Sequence, residues 1–466
     1  MSSLSPARSA ALACLMEARE GDLYVRDVLD SSPRMQGLDP RDAGLARRLA
    51  LGVTAAAGCL DELLDRFLAK PGKVSSRVRM ALRISTFELL YLGTAPEVAV
   101  SQGVELVRSV AKAAAGLANA VLRRVAEEGG AYLAAADVPQ DGRASVSLAR
   151  SAGLPVWLAR EVEGSLGLEG ARALCACELE PAPLAVHWNA FREGGDLREA
   201  GADACPLPGC SLPADAAAFV SSGALERADA VSSDLHAQLV ATAATRPGPC
   251  LEVGAGRGTK TFVMACQARR AGIAREYVAL DLSERRCRLN AERLGRAGIG
   301  GVRVVSGDGR DLDAALSGID AGAGERLLFD TVLVDAPCTG TGTMRRHPEI
   351  PWRLTPEDAR SRLPALQLEL LEAAAGRVGP GGELIYATCS VLRQEGAGVI
   401  EQFLASPAGA GFEVAPVSRA WIFGEPAFEP AAAILRPAET PEGFVQLAPA
   451  PGGFDGHFCA RLVRRA

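Results

Sequence analysis

The spacing of apolar residues divides the chain into a helical front and a back half in which strands and helices alternate. In the front, apolar residues recur every three or four positions, which is the spacing of an amphipathic helix. From Cys250 onward, short apolar runs of strand length alternate with helical stretches. That alternation is typical of a parallel sheet covered by helices. We therefore expect an all-α domain followed by an α/β domain.

Start and stop signals set the predicted element limits in the front half. Ser5-Pro6 and Asp39-Pro40 each combine an N-cap residue with a first-turn proline, and Gly21 and Pro71-Gly72 interrupt the pattern. The predicted helices cover 5–21, 39–67, 75–91, 96–110, 116–125 and 154–166.

The back half predicts six strands and four helices around one sheet. The strands are 250–253, 276–280, 302–305, 331–334, 383–387 and 457–462. The helices are 260–271, 284–297, 356–377 and 396–405. These assignments divide the chain into a helical domain over 1–130, a linker subdomain over 131–224 and an α/β domain over 225–466. Residues 127–145 have linker composition, 181–189 are expected to be extended, and 194–222 predict short strands and turns.

Length and composition restrict the class of protein. A chain of 466 residues is too long for a single core, and 48% hydrophobic with 23% charged residues is ordinary for a globular protein. Its apolar runs are too short for a membrane span, and its N-terminus lacks the order of a secretory signal, so we expect a cytoplasmic protein that is not in a membrane. The expected oligomeric state is a monomer. The net charge of −6 confines any nucleic-acid contact to local patches.

The 12 cysteines do not form a recognisable disulfide or metal framework. Cys175, Cys177, Cys205 and Cys210 suggest zinc, but Cys-Ala-Cys has the wrong spacing and no histidine accompanies it at ligand distance. We expect no metal.

Two other cysteines stand where a sheet binds ligands. The run Thr331–Val334 has strand character and must end before Pro337, so Asp335 and Cys338 lie at its carboxyl end. A second apolar strand ends immediately before Cys389. Two thiols at one edge of a sheet in a reducing compartment favour catalysis over a disulfide. The residue types alone leave open which thiol attacks.

A glycine loop and three acids predict the ligand at this edge. Gly254, Gly256 and Gly258 follow the first strand of the sheet, in a spacing that differs from dinucleotide and P-loop motifs. Asp281 and Asp308 end the next two strands and Asp335 ends the fourth. Three carboxylates in register suit an adenosine-containing ligand without a pyrophosphate, which indicates S-adenosylmethionine.

Longer motifs give the chain a family resemblance. Asp335-Ala-Pro-Cys-Thr-Gly-Thr-Gly, Arg345-Arg-His-Pro-Glu-Ile and Tyr386-Ala-Thr-Cys-Ser-Val resemble the RsmB/NOP (Sun, NSUN-type) RNA cytosine-5 methyltransferases. Pro96-Glu-Val-Ala-Val-Ser-Gln-Gly and Ala118-Asn-Ala-Val-Leu-Arg-Arg resemble the NusB family of RNA-binding domains. The resemblance implies a NusB-like helical domain, a small α+β linker subdomain and a Rossmann-like class I methyltransferase domain. The fusion of a NusB-like domain to this catalytic domain implies ribosomal RNA of the small subunit, 16S rRNA, as substrate.

The resemblance also implies roles for individual residues. Cys389 would add to carbon 6 of cytosine, Cys338 would assist the later elimination, and Asp335 would hold the base. The expected cofactor-binding residues are Gly254, Ala255, Gly256, Arg257, Gly258, Thr259, Lys260, Asp281, Arg286, Asp308 and Asp335. Arg345, Arg346, His347 and Trp352 are the expected RNA contacts. Lys260 and Arg345 are candidates for the cation that ionises a thiol.

Two alternatives to this family function are considered. Arg257 and Thr259 replace the usual proline and glycine, which would suit a NusB-like RNA-binding or antitermination factor with a decayed catalytic half. The retained thiols oppose this alternative. A Rossmann dehydrogenase would explain Gly254–Gly258 with Asp281, but it lacks the third-glycine spacing and has no use for paired thiols.

Overall fold

A computed structural model describes residues 4–134, 144–192 and 203–465. The chain forms two compact units, one made of Met1–Pro181 with Met344–Leu354 and the other of Ala182–Thr343 with Thr355–Ala466. The three sequence ranges proposed for domains stay a prediction. The predicted linker and turn segments lie partly outside the described residues.

The first unit is built from helices, as the apolar spacing predicted. They are α1 Pro6–Glu20, α2 Val25–Ser31, α3 Pro33–Gln36, α4 Pro40–Ala55, α5 Ala57–Phe67, α6 Ser76–Tyr91, α7 Pro96–Val110, α8 Ala115–Ala134, α9 Ala144–Ala152 and α10 Val156–Cys177. Short 3-10 turns cover Pro71–Lys73 and Lys112–Ala114. Leucine, valine and alanine side chains from α1 to α8 share one core around Phe87, which is fully buried.

Local signals explain the helix ends in this unit. The Asp39 carboxylate accepts hydrogen bonds from the backbone N–H groups of Arg41 and Asp42, so it caps α4 as predicted. Ser5 occupies the N-cap position of α1 without a side-chain capping bond. The single helix predicted over 39–67 is wrong, because the chain bends by 78° between α4 and α5. Across the described ranges no single helix is long and apolar enough to span a membrane, and only this bent pair reaches that length and apolarity together.

The second unit contains a small sheet and a large one. The small sheet has the order β2-β3-β1-β4, from β1 Val186–Trp188, β2 Asp203–Ala204, β3 Cys210–Leu212 and β4 Ala230–Ser232. The large sheet uses β5 Cys250–Val253, β6 Tyr277–Asp281, β7 Val302–Ser306, β8 Phe329–Asp335, β9 Val378–Thr388, β10 Phe412–Ala415, β11 Val445–Leu447 and β12 His457–Arg464. All six strands predicted from the apolar runs belong to the large sheet.

The large sheet has the order β10-β12-β9-β8-β5-β6-β7, with β11 beside β12. Strands β5 to β9 are parallel, and β12 runs antiparallel to β9. Helices of this unit are α11 Ala216–Ser221, α12 Leu235–Ala243, α13 Thr259–Arg270, α14 Glu284–Ala297, α15 Leu312–Ala315, α16 Ser317–Ala323, α18 Leu363–Ala375, α19 Ala397–Ala405 and α20 Glu429–Leu435. Helix α17 Ile350–Arg353 belongs to the first unit.

Apolar cores lie on both faces of the central strands. Residues of α12, α13 and α20 join one cluster, and residues of α18 and α19 join another. Strand β5 is buried along its whole length. The helical start of 356–377 is a π-helical turn over Asp358–Arg362 that leads into α18. The fold class predicted from the sequence, all-α followed by a Rossmann-like α/β domain, is confirmed.

Candidate active site

The centre of the large sheet is a topological switch point. Strand β5 pairs with β6 on one side and with β8 on the other, all three parallel. The connections that leave β5 and β8 therefore diverge at their carboxyl ends and open a crevice, which is where open α/β sheets bind ligands. The glycine loop follows β5, and Asp335 is the last residue of β8.

The two predicted thiols meet at this edge. Cys338 lies three residues beyond β8, and Cys389 follows β9 directly. The neighbouring strands are in register, with Asp335 opposite Ala387. The Sγ atoms of Cys338 and Cys389 are 3.3 Å apart, and both residues are partly buried. The sequence therefore predicted correctly that both cysteines reach the same edge.

A lysine and an aspartate form an ion pair beside the thiols. Lys260 comes from the first turn of α13, and its Nζ lies 2.8 Å from Oδ2 of Asp335. Burial lowers the pKa of Lys260, but the attraction of Asp335 outweighs that effect, so the pKa is raised above its ordinary value. Lys260 therefore carries a positive charge at neutral pH.

The two thiols differ in their readiness to ionise. Hydrogen bonding from the Cys338 thiol lowers the pKa of Cys389, and the charge of Lys260 lowers it further against the effect of burial. The same contact with Cys389, together with burial, raises the pKa of Cys338 well above its ordinary value. The pair therefore favours a thiolate at Cys389 and a protonated thiol at Cys338.

The glycine loop has the shape of a ligand cradle. Gly254 has φ +83°, and a Cβ built there would lie 2.3 Å from the carbonyl oxygen of Asp335. The loop can therefore pass this close to β8 only with glycine. A Cβ at Gly256 would meet one atom within 4 Å, the Gly254 carbonyl at 3.9 Å, so the backbone there faces open space. A nucleoside ligand can occupy that space, since the N-terminus of α13 follows the loop.

The three predicted acids stand at the ends of successive strands. Asp281 ends β6 and is 6% exposed; its Oδ2 accepts from the Gly256 N–H at 2.9 Å and its Oδ1 from the Ser283 N–H at 2.8 Å. Each carboxylate oxygen keeps a second lone pair for a ligand hydroxyl. Asp308 follows β7 and pairs with Arg310 at 2.7 Å, which lowers the pKa of Asp308.

The remaining predicted cofactor residues lie around the same loop. The Ala255 N–H donates to the Leu280 carbonyl at 3.0 Å. Thr259, one of the departures from the family pattern, accepts a hydrogen bond from Arg293 at 3.0 Å. Arg257 and Arg286 have exposed side chains. Ligand contacts of these residues stay predictions.

The expected RNA contacts belong to the helical unit. Arg345, Arg346, His347 and Trp352 lie in Met344–Leu354, which is part of the first compact unit. The indole N–H of Trp352 donates to the Ala55 carbonyl at 3.0 Å, and its ring covers Gly58, where a Cβ would lie 1.9 Å from the ring. Trp352 therefore packs against helices, a role the sequence did not indicate. Contacts of these four residues with RNA stay a prediction.

Two buried acids were missed by sequence reasoning. Glu252 on β5 accepts hydrogen bonds from Thr261 and Tyr277, each at 2.6 Å, and burial raises its pKa to about 7. Glu395 is fully buried beside both thiol loops. An acid within an apolar strand was the available signal for Glu252, whereas Glu395 lies six positions after Cys389 with no local pattern that connects the two. Among the described residues no group of three His, Cys, Asp or Glu side chains could hold a metal ion.

Comparison with known proteins identifies the family of the chain. The sequence model of the 16S rRNA methyltransferase RsmB/F family matches residues 243–463, and that of the NusB family matches residues 5–127. The ribosomal RNA small subunit methyltransferase B of Thermus thermophilus is 35% identical over 399 residues, covering 85% of this chain and 87% of the relative. The protein of the same name from Pseudomonas syringae is 29% identical over 484 residues, covering 98% and 97%.

The chain belongs to the RsmB/F family of rRNA methyltransferases. This family membership confirms the predicted resemblance and the predicted cofactor, S-adenosylmethionine. It excludes the dehydrogenase alternative. The open space at Gly256, the Asp281 carboxylate bonded to the Gly256 N–H and the N-terminus of α13 fit an adenosine-containing cofactor, so these residues agree with the family.

Solved structures agree with the fold. The crystal structure of a protein named PH0851 matches with a TM-score of 0.70 and 21% identity, covering 99% of both chains. A methyltransferase homolog protein from Pyrococcus horikoshii matches with a TM-score of 0.53 and 20% identity, covering 70% of this chain and 100% of the other. At these identities the likeness establishes the architecture alone.

Proposed function

We propose that this RsmB/F-family methyltransferase modifies carbon 5 of a cytosine in 16S ribosomal RNA through a covalent adduct of the base with Cys389. The observation that carries the proposal is the 3.3 Å contact between the sulfurs of Cys338 and Cys389 beside a lysine–aspartate ion pair. Methylation of a ribose or of an exocyclic amine needs no thiol, whereas carbon 5 of cytosine needs an attacking thiolate and a base.

Cys389 is the proposed nucleophile. Its lowered pKa supplies a thiolate, which adds to carbon 6 of the ring and moves electron density to carbon 5. When bound, S-adenosylmethionine would supply an electrophilic methyl group to carbon 5, with its S–CH₃ bond breaking to leave a neutral thioether. Asp335, held by Lys260, would accept hydrogen bonds from the base and so favour the adduct.

Cys338 is the proposed base for the second half of the reaction. While Cys389 is a thiolate, its contact raises the pKa of Cys338, which stays protonated. Once the Cys389 sulfur is bonded to carbon 6, that negative charge is gone and the pKa of Cys338 falls. Cys338 can then lose its proton to solvent and take up the proton of carbon 5. The electron pair left on carbon 5 restores the double bond to carbon 6, and the Cys389 sulfur leaves as a thiolate. The contact between the two sulfurs thus makes Cys389 add to the base first and lets Cys338 act as a base only afterwards.

The cofactor would be held by the cradle described above. Its adenosine would lie against the backbone of Gly256, with ribose hydroxyls donating to Asp281 and the base near Asp308. Arg345, Arg346 and His347 are proposed to bind phosphates of the RNA.

Two cysteine variants test the proposal. Cys389→Ser should abolish 5-methylcytosine formation, read by bisulfite sequencing of 16S rRNA incubated with the protein and S-adenosylmethionine. Cys338→Ala should accumulate an RNA–protein adduct that survives denaturing electrophoresis, because its base for elimination is missing. Cys14→Ala, a buried cysteine of the helical unit, serves as the control.

Methylation that persists in Cys389→Ser would overturn the mechanism. Absence of S-adenosylmethionine binding by calorimetry would favour the alternative of an RNA-binding protein with a decayed catalytic domain.

A further inference from the structure

A buried glutamate joins the two loops that carry the thiols. Glu395 lies in the 3-10 turn Arg393–Glu395 after β9 and is 0% exposed. Its Oε1 accepts from the Thr339 N–H at 2.8 Å and from Gln367 Nε2 at 2.9 Å. Its Oε2 accepts from the hydroxyl of Ser390 at 2.6 Å and from that of Thr339. One carboxylate thus receives four hydrogen bonds.

Three of the four hydrogen bonds to Glu395 come from the residues that directly follow the two cysteines. Thr339 is the neighbour of Cys338, and Ser390 is the neighbour of Cys389. A shift of the Cys338 loop would break both bonds from Thr339, and a shift of the Cys389 loop would break the bond from Ser390 to the same carboxylate. Thr341 adds to the junction, because its hydroxyl lies 3.0 Å from that of Ser390.

Residues of a neighbouring strand and helix also contact Glu395. The Tyr386 hydroxyl on β9 donates to the Glu395 carbonyl at 2.7 Å. Gln367 on α18, which donates to the carboxylate, also donates to the Pro337 carbonyl at 2.9 Å. A helix and a strand of the sheet core therefore also hold Glu395, in addition to the bonds from Thr339 and Ser390.

This placement has an electrostatic cost. Burial raises the pKa of Glu395, and its negative charge raises the pKa values of Cys338 and Cys389. A buried carboxylate is tolerated when its hydrogen bonds are satisfied, and here all four acceptor directions are used. Because the negative charge of Glu395 opposes formation of a thiolate, it does not help catalysis electrostatically. The contribution of Glu395 must therefore be to the geometry of the two thiols.

We infer that Glu395 is a positioning residue that sets the separation and orientation of the two thiols by holding Thr339 and Ser390 on one carboxylate. This inference rests on the proposed function, because it assumes that both thiols act on one pyrimidine. None of the four bonds reaches the glycine loop, so Glu395 affects thiol geometry and not cofactor binding.

The first test measures the thiols without RNA or methyl donor. Diamide takes one hydrogen from each of two adjacent thiols, becoming a hydrazine while a disulfide forms. In Glu395→Ala the rate of the Cys338–Cys389 disulfide, followed by mass spectrometry, should fall by about tenfold or more, since a displacement of about 1 Å has effects of that order. Ser390→Ala removes one donor and should give a smaller fall. An unchanged rate in both variants would overturn the inference.

Glu395→Gln separates geometry from charge. The amide keeps an acceptor for Thr339 N–H and Gln367, and the two hydroxyls can turn to accept from its NH₂ group, so disulfide formation should stay closer to wild type than in Glu395→Ala. With the negative charge removed, the pH midpoint for alkylation of Cys389 by iodoacetamide should move down. The other groups that face Cys389 are Cys338, Lys260 and Asp335, and they are unchanged. A midpoint that stays or rises would contradict the assigned charge.

A third test measures the methyl-transfer activity of the Glu395→Ala variant. In Glu395→Ala kcat should fall about 100-fold, while the KM for RNA and the Kd for S-adenosylmethionine stay within about threefold. Glu383→Gln, a buried carboxylate in the middle of β9 that pairs with Arg461 at 2.7 Å, controls for general destabilisation. Loss of cofactor affinity in Glu395→Ala would overturn the inference. A wild-type protein that makes no 5-methylcytosine would defeat the proposed function but leave the thiol measurements as a test of Glu395.

Discussion

At the residue scale, Lys260 influences two neighbours of different kinds. It pairs with Asp335 at 2.8 Å, and its charge lowers the pKa of Cys389. Arg345 was the other cation considered from the sequence, and it belongs to the helical unit. Because the charge of Lys260 lowers the pKa of Cys389, removal of Lys260 should change the ionisation of that thiol.

Lys260→Met should raise the pKa of Cys389, because a positive charge that stabilises the thiolate is lost. The pH midpoint for alkylation of Cys389 should move up, and methyl transfer at neutral pH should fall by about 100-fold or more. Lys260→Arg, which keeps the charge, should move the midpoint much less. An alkylation curve in Lys260→Met that overlays wild type would contradict the electrostatic role.

Glu252 makes stability depend on pH in a defined direction. Its pKa is raised to about 7 in the folded protein, above the ordinary value of 4.5, so the folded state binds its proton more tightly than the unfolded state. The stability from this group is complete below about pH 4.5 and is lost as the pH rises to about 7.

Glu252→Gln should remove that component. The free energy of unfolding of wild type minus that of Glu252→Gln should decrease between about pH 4.5 and pH 7, by a few kcal/mol at most at about 1.4 kcal/mol per pH unit. Urea unfolding at several pH values measures the difference. Curves for the two proteins that run parallel across this range would show that Glu252 does not titrate as assigned.

At the element scale, the link from β5 to α13 depends on how closely its backbone approaches β8. Gly254 has a positive φ and no space for a Cβ against the Asp335 carbonyl. Asp281 holds the same loop through the Gly256 N–H. The loop, β6 and β8 are thus mutually constrained at the edge where the cofactor is expected.

Gly254→Ala should reduce affinity for S-adenosylmethionine at least about tenfold and lower stability by about 1–3 kcal/mol, since a Cβ would clash with rigid backbone. Calorimetry and urea unfolding give the two values. Gly295→Ala in α14, where a Cβ meets nothing within 4 Å, should leave affinity unchanged and stabilise the protein by up to about 1 kcal/mol. Equal affinities for the two variants would exclude a constraint at Gly254.

At the scale of the whole molecule, the chain crosses between its two compact units more than once. Met344–Leu354 follows the Cys338 loop in sequence and yet packs with the helices of the first unit. Three of its side chains make that contact: Glu349 accepts from the Val25 N–H at 2.7 Å, Arg353 pairs with Asp22 at 3.1 Å, and Trp352 lies on Gly58.

Trp352→Ala should destabilise the helical unit by about 2 kcal/mol, because the ring and its hydrogen bond to Ala55 are both lost while the side chain is 38% exposed in the native state. Trp352→Phe keeps most of the ring and should lose about 1 kcal/mol. Urea unfolding followed by far-UV circular dichroism gives both values. A variant as stable as wild type would mean that this packing contributes nothing.

The sequence by itself determined six of the eight strands of the large sheet and the residue types at its edge, and it missed β10 and β11. Each predicted strand run was short and largely apolar, and most predicted helices had a cap or a helical repeat of apolar residues, so local patterns were sufficient for these elements. Placement of Asp281, Asp335, Cys338 and Cys389 at strand ends followed from those limits. The motif resemblance supplied the family and the cofactor.

Only the tertiary structure decided what surrounds those residues. The break after Ala55, the choice of Lys260 as partner of Asp335 and the packing of Trp352 depend on groups that are far apart in the chain. Glu395 is the clearest example of a contact that the sequence could not predict, because its four hydrogen bonds come from two loops and a helix that no local pattern connects. Local order follows from spacing along the chain, whereas the distances and pKa shifts of a site depend on which distant side chains share one buried volume.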